Sequence, residues 1–399
     1  MKQLVNLSRR ARWAVPAGAV VVVVGGVLAG SMISVAQAAP SLPSRTPAQL
    51  LASLAGQTSM PPLTGTVVET SSLGLPSLPG TNDPTSVSSL LTGSHTVRIW
   101  YADPTHFRVA VPQNMSESDL IRNGSNAWLW ESTNNTVTHL TVPADAGKAA
   151  VKAPAKKVAV KPSAEPSPAP PMTPQQAANE VLAKVGPTTT VGVDTNVYVA
   201  GEAAYQLVLA PKSSQSLVGQ IRIAVDGTRD VPLRVQVFAK GAKSPAVQIG
   251  FTSISFVKPA AANFAFSPPA GATVQQQSPG SGTKHTGDGS LGSAYTIGKD
   301  WLAVADLPSS VLSSVTGPKA PASSGSGLSG DTGPIIGALL KSATPVSGSW
   351  GSGRLLKTSL LSMLITNNGR VLVGAVTPQV LYQAAAQPVP AHTSQPATK

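Results

Sequence analysis

The stretch "NGSNAWLWESTNNTVTHL", residues 123–140, decides how the fold is read. Asn123-Gly124 marks a tight turn. "AWLWE" then alternates, and side chains two apart in a strand share a face, so Trp128 and Trp130 point the same way. "STNN" turns the chain and "TVTHL" returns it, which makes a hairpin. Upstream, "HTVRIWY" places Val97, Ile99 and Tyr101 on one face and Thr96, Arg98 and Trp100 on the other. "DPTH" reverses the chain, and "FRVAV" brings Phe107, Val109 and Val111 together. The hairpin therefore belongs to an antiparallel meander.

The same signals recur downstream. "TTTVGVD", "NVYVAG", "AYQLVLAP", "VGQIRIAVDG", "VPLRVQVFAKG", "AVQIGFTSISFV" and "FAFSPP" read as strands, with a hairpin-type turn at Asp226-Gly227. Two helices interrupt the pattern. "TPAQLLASLAG" and "MTPQQAANEVLAKVG" each begin with a capping Thr, Thr46 or Thr173, followed by Pro in the first helical position. Residues 40–45 read as a short spacer. A smaller unit follows, with a turn at Asn368-Gly369 and a last helix starting at Thr377-Pro378.

Composition narrows the class. The 399 residues are 42% hydrophobic, 12% charged and only 4% aromatic, with 36 Gly and 36 Pro. That suits a strand- and loop-rich exported protein. The net charge is +12, but Lys2, Arg9, Arg10 and Arg12 precede the first apolar run, leaving +8 for the rest. Five more lysines (148, 152, 156, 157 and 161) lie in one Ala/Pro-rich stretch. No basic face with interleaved aromatics emerges, which argues against nucleic acid. Residues 14–35 carry no charge, and Ala36-Gln37-Ala38 forms an A-x-A cleavage pattern. The run is also long enough to span a bilayer. The chain is expected outside the cytoplasm, secreted after cleavage near Ala38 or anchored by this segment. The absence of cysteine excludes disulfides, thiolate metal sites and a lipidated N-terminal Cys.

In its order of helix, meander, tryptophan hairpin and "YQLVLAP…IRIAVDGTRDVPLRVQVF", the chain resembles LolA-like outer-membrane lipoprotein carriers. The two-domain layout resembles the RseB/MucB sigma-factor regulators of that group. The resemblance implies a mainly β (α+β) fold, an open antiparallel half-barrel covered by helices, with a smaller C-terminal α+β domain. The corresponding organisation is a signal peptide or anchor at 1–38, a lipid-binding domain at 46–274 with a disordered Lys/Pro-rich insert at 144–171, a linker at 275–290, the small domain at 291–387 and a disordered tail at 388–399. It further implies binding of lipid or lipoprotein acyl chains in an apolar cavity, by a monomer whose helices act as a lid. The alternative it implies is a regulatory protein that grips a membrane-anchored partner such as an anti-sigma factor.

The aromatics expected to line such a cavity are Trp128, Trp130, Trp100, Tyr205, Phe251 and Phe256. For each the competing reading is a closed core. The five histidines show no metal-ligand spacing, and Asp194, Asp226 and Asp230 sit in turns where Asp bonds local backbone. "GSWGSGRLL" lacks the phosphate-loop lysine and reads as a turn or bulge. No nucleophile–base set, metal site or cofactor motif is evident, so the expectation is a non-enzyme without cofactors. Mass spectrometry of the exported protein is expected to find an N-terminus at Ala39; an N-terminus at Met1 would mean a retained anchor.

Overall fold

In the computed structural model, the described residues are 39–57, 59–74, 92–113, 115–142, 172–182, 185–277, 295–308 and 342–388. The apolar N-terminal run, the insert at 144–171 and the tail beyond residue 388 lie outside them.

Among the described residues, twelve strands form one sheet. The first meander comprises β1 (Leu63–Ser72), β2 (Thr92–Asp103), β3 (His106–Gln113), β4 (Ser116–Asn123), β5 (Asn126–Glu131) and β6 (Thr136–Thr141). The second comprises β7 (Thr189–Val199), β8 (Glu202–Pro211), β9 (Val218–Asp226), β10 (Pro232–Ala239) and β11 (Val247–Ser255). The twelfth strand, β12 (Thr273–Gln277), pairs parallel to β6; every other pairing is antiparallel. The order is β12-β6-β5-β4-β3-β2-β1-β11-β10-β9-β8-β7, so the two meanders are joined where β1 pairs with β11. Among the described residues the edge strands β12 and β7 do not pair with each other, and the sheet is open.

The sheet is also strongly curled. Four strand spacings of about 4.8 Å would hold β7 roughly 19 Å from β11 in a flat sheet. Instead, Cα atoms of the two strands approach within 8 Å. The concave side is filled by apolar residues of both meanders, among them Leu63, Val67, Val97, Leu207, Ile223, Leu233 and Ile249. Helix α1 (Pro47–Gly56) adds Leu50 and Leu54 to this core, and helix α2 (Pro174–Leu182) adds Ala177 and Ala178 while packing on β10 and β11. Both helices start as their sequences predict. Thr46 and Gln49, and likewise Thr173 and Gln176, exchange reciprocal side-chain and backbone hydrogen bonds in a capping box.

Several local readings change, and "TTTVGVD" and "NVYVAG" are one strand in which Asp194 pairs with Gln206. Residues 40–45 are not a free spacer: Asn196 donates to the Pro40 carbonyl, Tyr205 donates to that of Pro43, and Arg45 pairs with Asp230 while lying over the Tyr205 ring. "FAFSPP" is not a strand. After β11 the chain crosses the convex face through a short 3₁₀ turn (Ala261–Phe264) that packs on β3 and β4, and the span reaches β12. That strand runs to Gln277, three residues into the segment expected to be linker.

The second sheet has the order β13-β14-β18-β17-β16-β15 and is antiparallel throughout. Its strands are β13 (Tyr295–Ile297), β14 (Val304–Pro308), β15 (Thr344–Gly348), β16 (Gly351–Lys357), β17 (Ser362–Thr366) and β18 (Arg370–Gly374), and helix α3 (Pro378–Ala385) packs on it. It is tied directly to the first sheet. Ser216 and Val376 form a β-bridge, Trp301 donates its indole N–H to Thr189, and Leu360 and Leu361 enter the larger core. Inside the second sheet Arg370 is buried. It binds Asp306 through two nitrogens, and its remaining hydrogens reach the carbonyls of Ala384, Ala385 and Gln387. A cation placed there satisfies the last carbonyls of α3 and complements the helix dipole.

Removing one partner of a buried ion pair strands the other charge, which typically costs about 3–5 kcal/mol. Arg370→Met is therefore expected to lower unfolding free energy by about that much in a denaturant titration. Arg370→Met with Asp306→Leu should regain part of the loss, and the remainder measures the three carbonyl contacts.

Candidate functional site: an apolar wall on the open half of the sheet

The two faces of the first meander follow from register. Ile99 lies opposite Val109, Val109 opposite Leu120, and Leu120 opposite Leu129. These four side chains form a cross-strand ladder on the concave side, which begins in the core at Ile99. Helices α1 and α2 lie towards β7, β10 and β11, so cover is lost along the ladder. Ile99 is 6% exposed, Val109 and Leu129 are half-buried, and Leu120 is the most open at 36%. A second row beside it holds Tyr101, Phe107, Arg122, Ala127 and Leu140. Burial, followed by the nearby Asp103 carboxylate, raises the Tyr101 phenol above its ordinary value, so it stays neutral on this wall.

The six aromatics expected to line one cavity divide between several environments. Trp100, Trp128 and Trp130 all lie on the convex face. Trp128 stacks on His139 with ring centroids 3.8 Å apart, and Phe266 of the crossing segment packs against it at 5.6 Å. The His139 ring is held between Gln276 of β12 and Asn126 of β5. Phe264, Ile121, Ala110 and Val137 are buried on the same side, so the tryptophan hairpin meets the crossing segment rather than either helix. Trp130 leaves its buried indole N–H without a partner among the described residues. Tyr205 and Phe251 are buried in the concave core, and Phe256 packs against that core under the Arg229 guanidinium at 4.0 Å.

Tertiary structure thus groups Val109, Leu120, Leu129 and Leu140, which composition does not single out. Strand alternation already put Val109 with Phe107 and Val111. What it could not supply was β4, whose polar "SESD" start hides a strand that carries Leu120 between Val109 and Leu129.

The convex face also holds a charged cluster. Asp119 is fully buried and paired with Arg108, which lies over the Trp100 ring at 5.4 Å and reaches Glu117 at 3.9 Å. Burial, opposed by Arg108 and reinforced by Glu117, pushes the Asp119 carboxyl up to about 6. Among the described residues no group of three or more His, Cys, Asp or Glu could hold a metal ion, and no helix is long and apolar enough to cross a membrane.

The class of molecule this defines is an open, curled antiparallel sheet with one helix-covered and one uncovered stretch of apolar wall. No protein-family model and no curated protein matches the sequence. Among solved structures the chain is similar to the MucA/MucB complex of Pseudomonas aeruginosa, at 14% identity over 86% of this chain and 99% of that one, with a TM-score of 0.39. It is also similar to a LolA superfamily protein of Nitrosomonas europaea, at 8% identity over 56% and 99%, with a TM-score of 0.21. A third is a lipoprotein-sorting protein domain described as outer-membrane in Vibrio parahaemolyticus, at 7% identity over 52% and 90%, with a TM-score of 0.18.

A carboxyl whose folded value is raised binds its proton more tightly in the folded protein than in the unfolded chain, where it titrates near 3.9. Its contribution to stability is present below about pH 4 and is lost as pH rises through about 6. Asp119→Asn should match the parent at pH 4 and become the more stable of the two by pH 6.5, read from urea midpoints.

Proposed function

We propose that the protein binds acyl chains of lipids or lipoproteins along the uncovered concave wall, outside the cytoplasm and without catalysing a reaction. The observation that supports this most is the Ile99–Val109–Leu120–Leu129 ladder, which runs from closed core to solvent without a break in apolar character. A flexible hydrocarbon chain needs contact area rather than directed hydrogen bonds, and a row of branched aliphatic side chains supplies it. Each methylene removed from water is worth about 0.8 kcal/mol, so a 16-carbon chain brings roughly 12 kcal/mol gross when fully covered. An open wall covers part of it, and ordering the chain subtracts more. The balance favours holding with release.

The closed end of the core supplies the stop. Leu50 and Leu54 of α1 are buried in one core with Leu63 and Val67, so a chain lying on Leu120 and Leu129 extends inward only if α1 or α2 moves. Movement of these helices away from the closed part of the core is the opening step in this reading. The capping boxes of both helices keep each intact as a unit, which suits displacement as rigid pieces.

Mass spectrometry of organic extracts from protein purified from its native host is expected to find bound acyl lipid. Leu120 and Leu129 are accessible enough to change without emptying the core. A double Leu120→Arg, Leu129→Arg variant should keep its melting temperature within a few degrees yet bind a fluorescent fatty acid about tenfold or more weakly, because an acyl chain then desolvates charge. Unchanged binding by a folded double variant would refute the assignment.

A further inference from the structure

The opposite face of the same sheet carries a second feature, which the acyl-chain reading does not use. A depression of about 310 Å³ opens over β1, β2 and β11. Its lining includes a lattice of six side chains fixed by strand register, five polar and one indole. One row runs Trp100, Thr64, Ser255, and the next runs Arg98, Thr66, Ser253. Neighbouring strands lie about 4.8 Å apart and alternate residues of a strand about 7 Å apart, so the six side chains cover a patch of roughly 7 by 10 Å.

The depression has a local cause. The β1–β11 register shifts between Thr66 and Val67, where Thr252 is the extra residue and donates its hydroxyl to the Thr66 carbonyl. Such a bulge bends the strand and sharpens its twist. Gly65 lets the strands stay close: a Cβ there would come within 2.8 Å of both the Phe251 ring and the Ser253 carbonyl. Small hydroxyl residues on β1 and β11 form the floor, and Arg98 with Trp100 forms a taller wall on β2.

The chemistry of the lining is unspent. Arg98 is exposed and makes no hydrogen bond or ion pair among the described residues. The hydroxyls of Thr64, Thr66 and Ser253 are likewise unbonded there. The nearest acids, Asp119 and Glu117, are taken up by Arg108 beside Trp100, so no carboxylate among them neutralises Arg98. The pocket thus offers a forked cation, a half-buried indole and a floor of hydroxyls.

From this arrangement we propose that the depression is a binding site for an acidic saccharide, a sugar bearing a carboxylate or phosphate. The apolar C–H face of the sugar ring lies on Trp100, its hydroxyls exchange hydrogen bonds with Thr64, Thr66 and Ser253, and its anionic group takes the Arg98 fork. The volume is at the small end of ligand pockets, which suits one or two sugar units rather than a large ligand.

Isothermal titration of the whole protein with glucuronate, glucose 6-phosphate, glucose and inorganic phosphate tests the site. Saturable millimolar or tighter binding of the two acidic sugars is expected, with glucose and phosphate each at least about tenfold weaker, since each lacks one half of the recognition. Arg98→Gln should weaken the acidic sugars about tenfold or more, whereas Lys243→Gln, an exposed charge in the β10–β11 turn, should not. Vesicles of phosphatidylcholine with or without a glucuronosyl diacylglycerol separate a membrane-borne sugar from a free one: Arg98-dependent flotation with the glycolipid identifies the former. Equal binding of glucose and glucuronate, equal binding of phosphate alone, or an Arg98→Gln variant that binds as the parent does would overturn the proposal. Because Leu120 and Leu129 lie on the other face, their arginine variants should bind acidic sugars normally, and failure of either site leaves the other standing.

Discussion

The pairing of β1 with β11 is the constraint on which the rest of the structure depends. It runs from Thr64 opposite Ser255 to Ser71 opposite Val247, joining strands almost two hundred residues apart in sequence. Closing so long a loop costs conformational entropy, although that cost grows only slowly with loop length. The return is that two meanders become one sheet with one concave core. Without this seam Leu63, Val67 and Val97 would face Leu207, Ile223 and Leu233 across no shared interior. The bulge in the same seam bends the sheet and hollows its outer face.

Curvature gives the two faces different roles. On the concave side the curl brings β7 towards β11 and concentrates cover over the second meander, where α1 and α2 dock. The first meander is left with an apolar wall that emerges into solvent at Leu120. On the convex side the cover is irregular chain: residues between β11 and β12 carry Phe264 and Phe266 across β3 to β6, and β12 pins the end of the crossing against β6. The tryptophan hairpin is sandwiched there. Its aromatic rings serve a closed contact, and the exposed ladder on the wall opposite is aliphatic.

The second sheet is built around a different device. Arg370 crosses from β18 to the end of α3 and to Asp306 on β14, so one side chain fastens strand, strand and helix terminus. The junction with the large sheet uses backbone as well as side chains, through the bridge at Ser216 and Val376 and flanking hydrogen bonds from Leu217 to Ala375 and from Thr377 to Gln215. Leu360, Leu361 and Trp301, from connections of the second sheet, pack into the core of the first, while the second sheet and α3 keep a cluster of their own.

Sequence by itself determined what depends on neighbours along the chain. Alternation in "HTVRIWY" and "AWLWE" assigned faces, Asn-Gly pairs placed turns, and Thr-Pro pairs placed the starts of α1, α2 and α3, because each signal acts within a few residues. It also placed Trp100, Trp128 and Trp130 on strands as outliers in an aromatic-poor chain. Only tertiary structure decided what those faces meet. Whether Trp128 sees a helix or the segment carrying Phe266 depends on the route taken after β11, and nothing within either segment encodes that route. Polar "SESD" concealed β4, since a strand with one face against charged partners lacks an apolar pattern. The aliphatic ladder and the hydroxyl-lined depression likewise arise from register between strands far apart in sequence. Register is fixed by the whole sheet's fit, which no single strand carries.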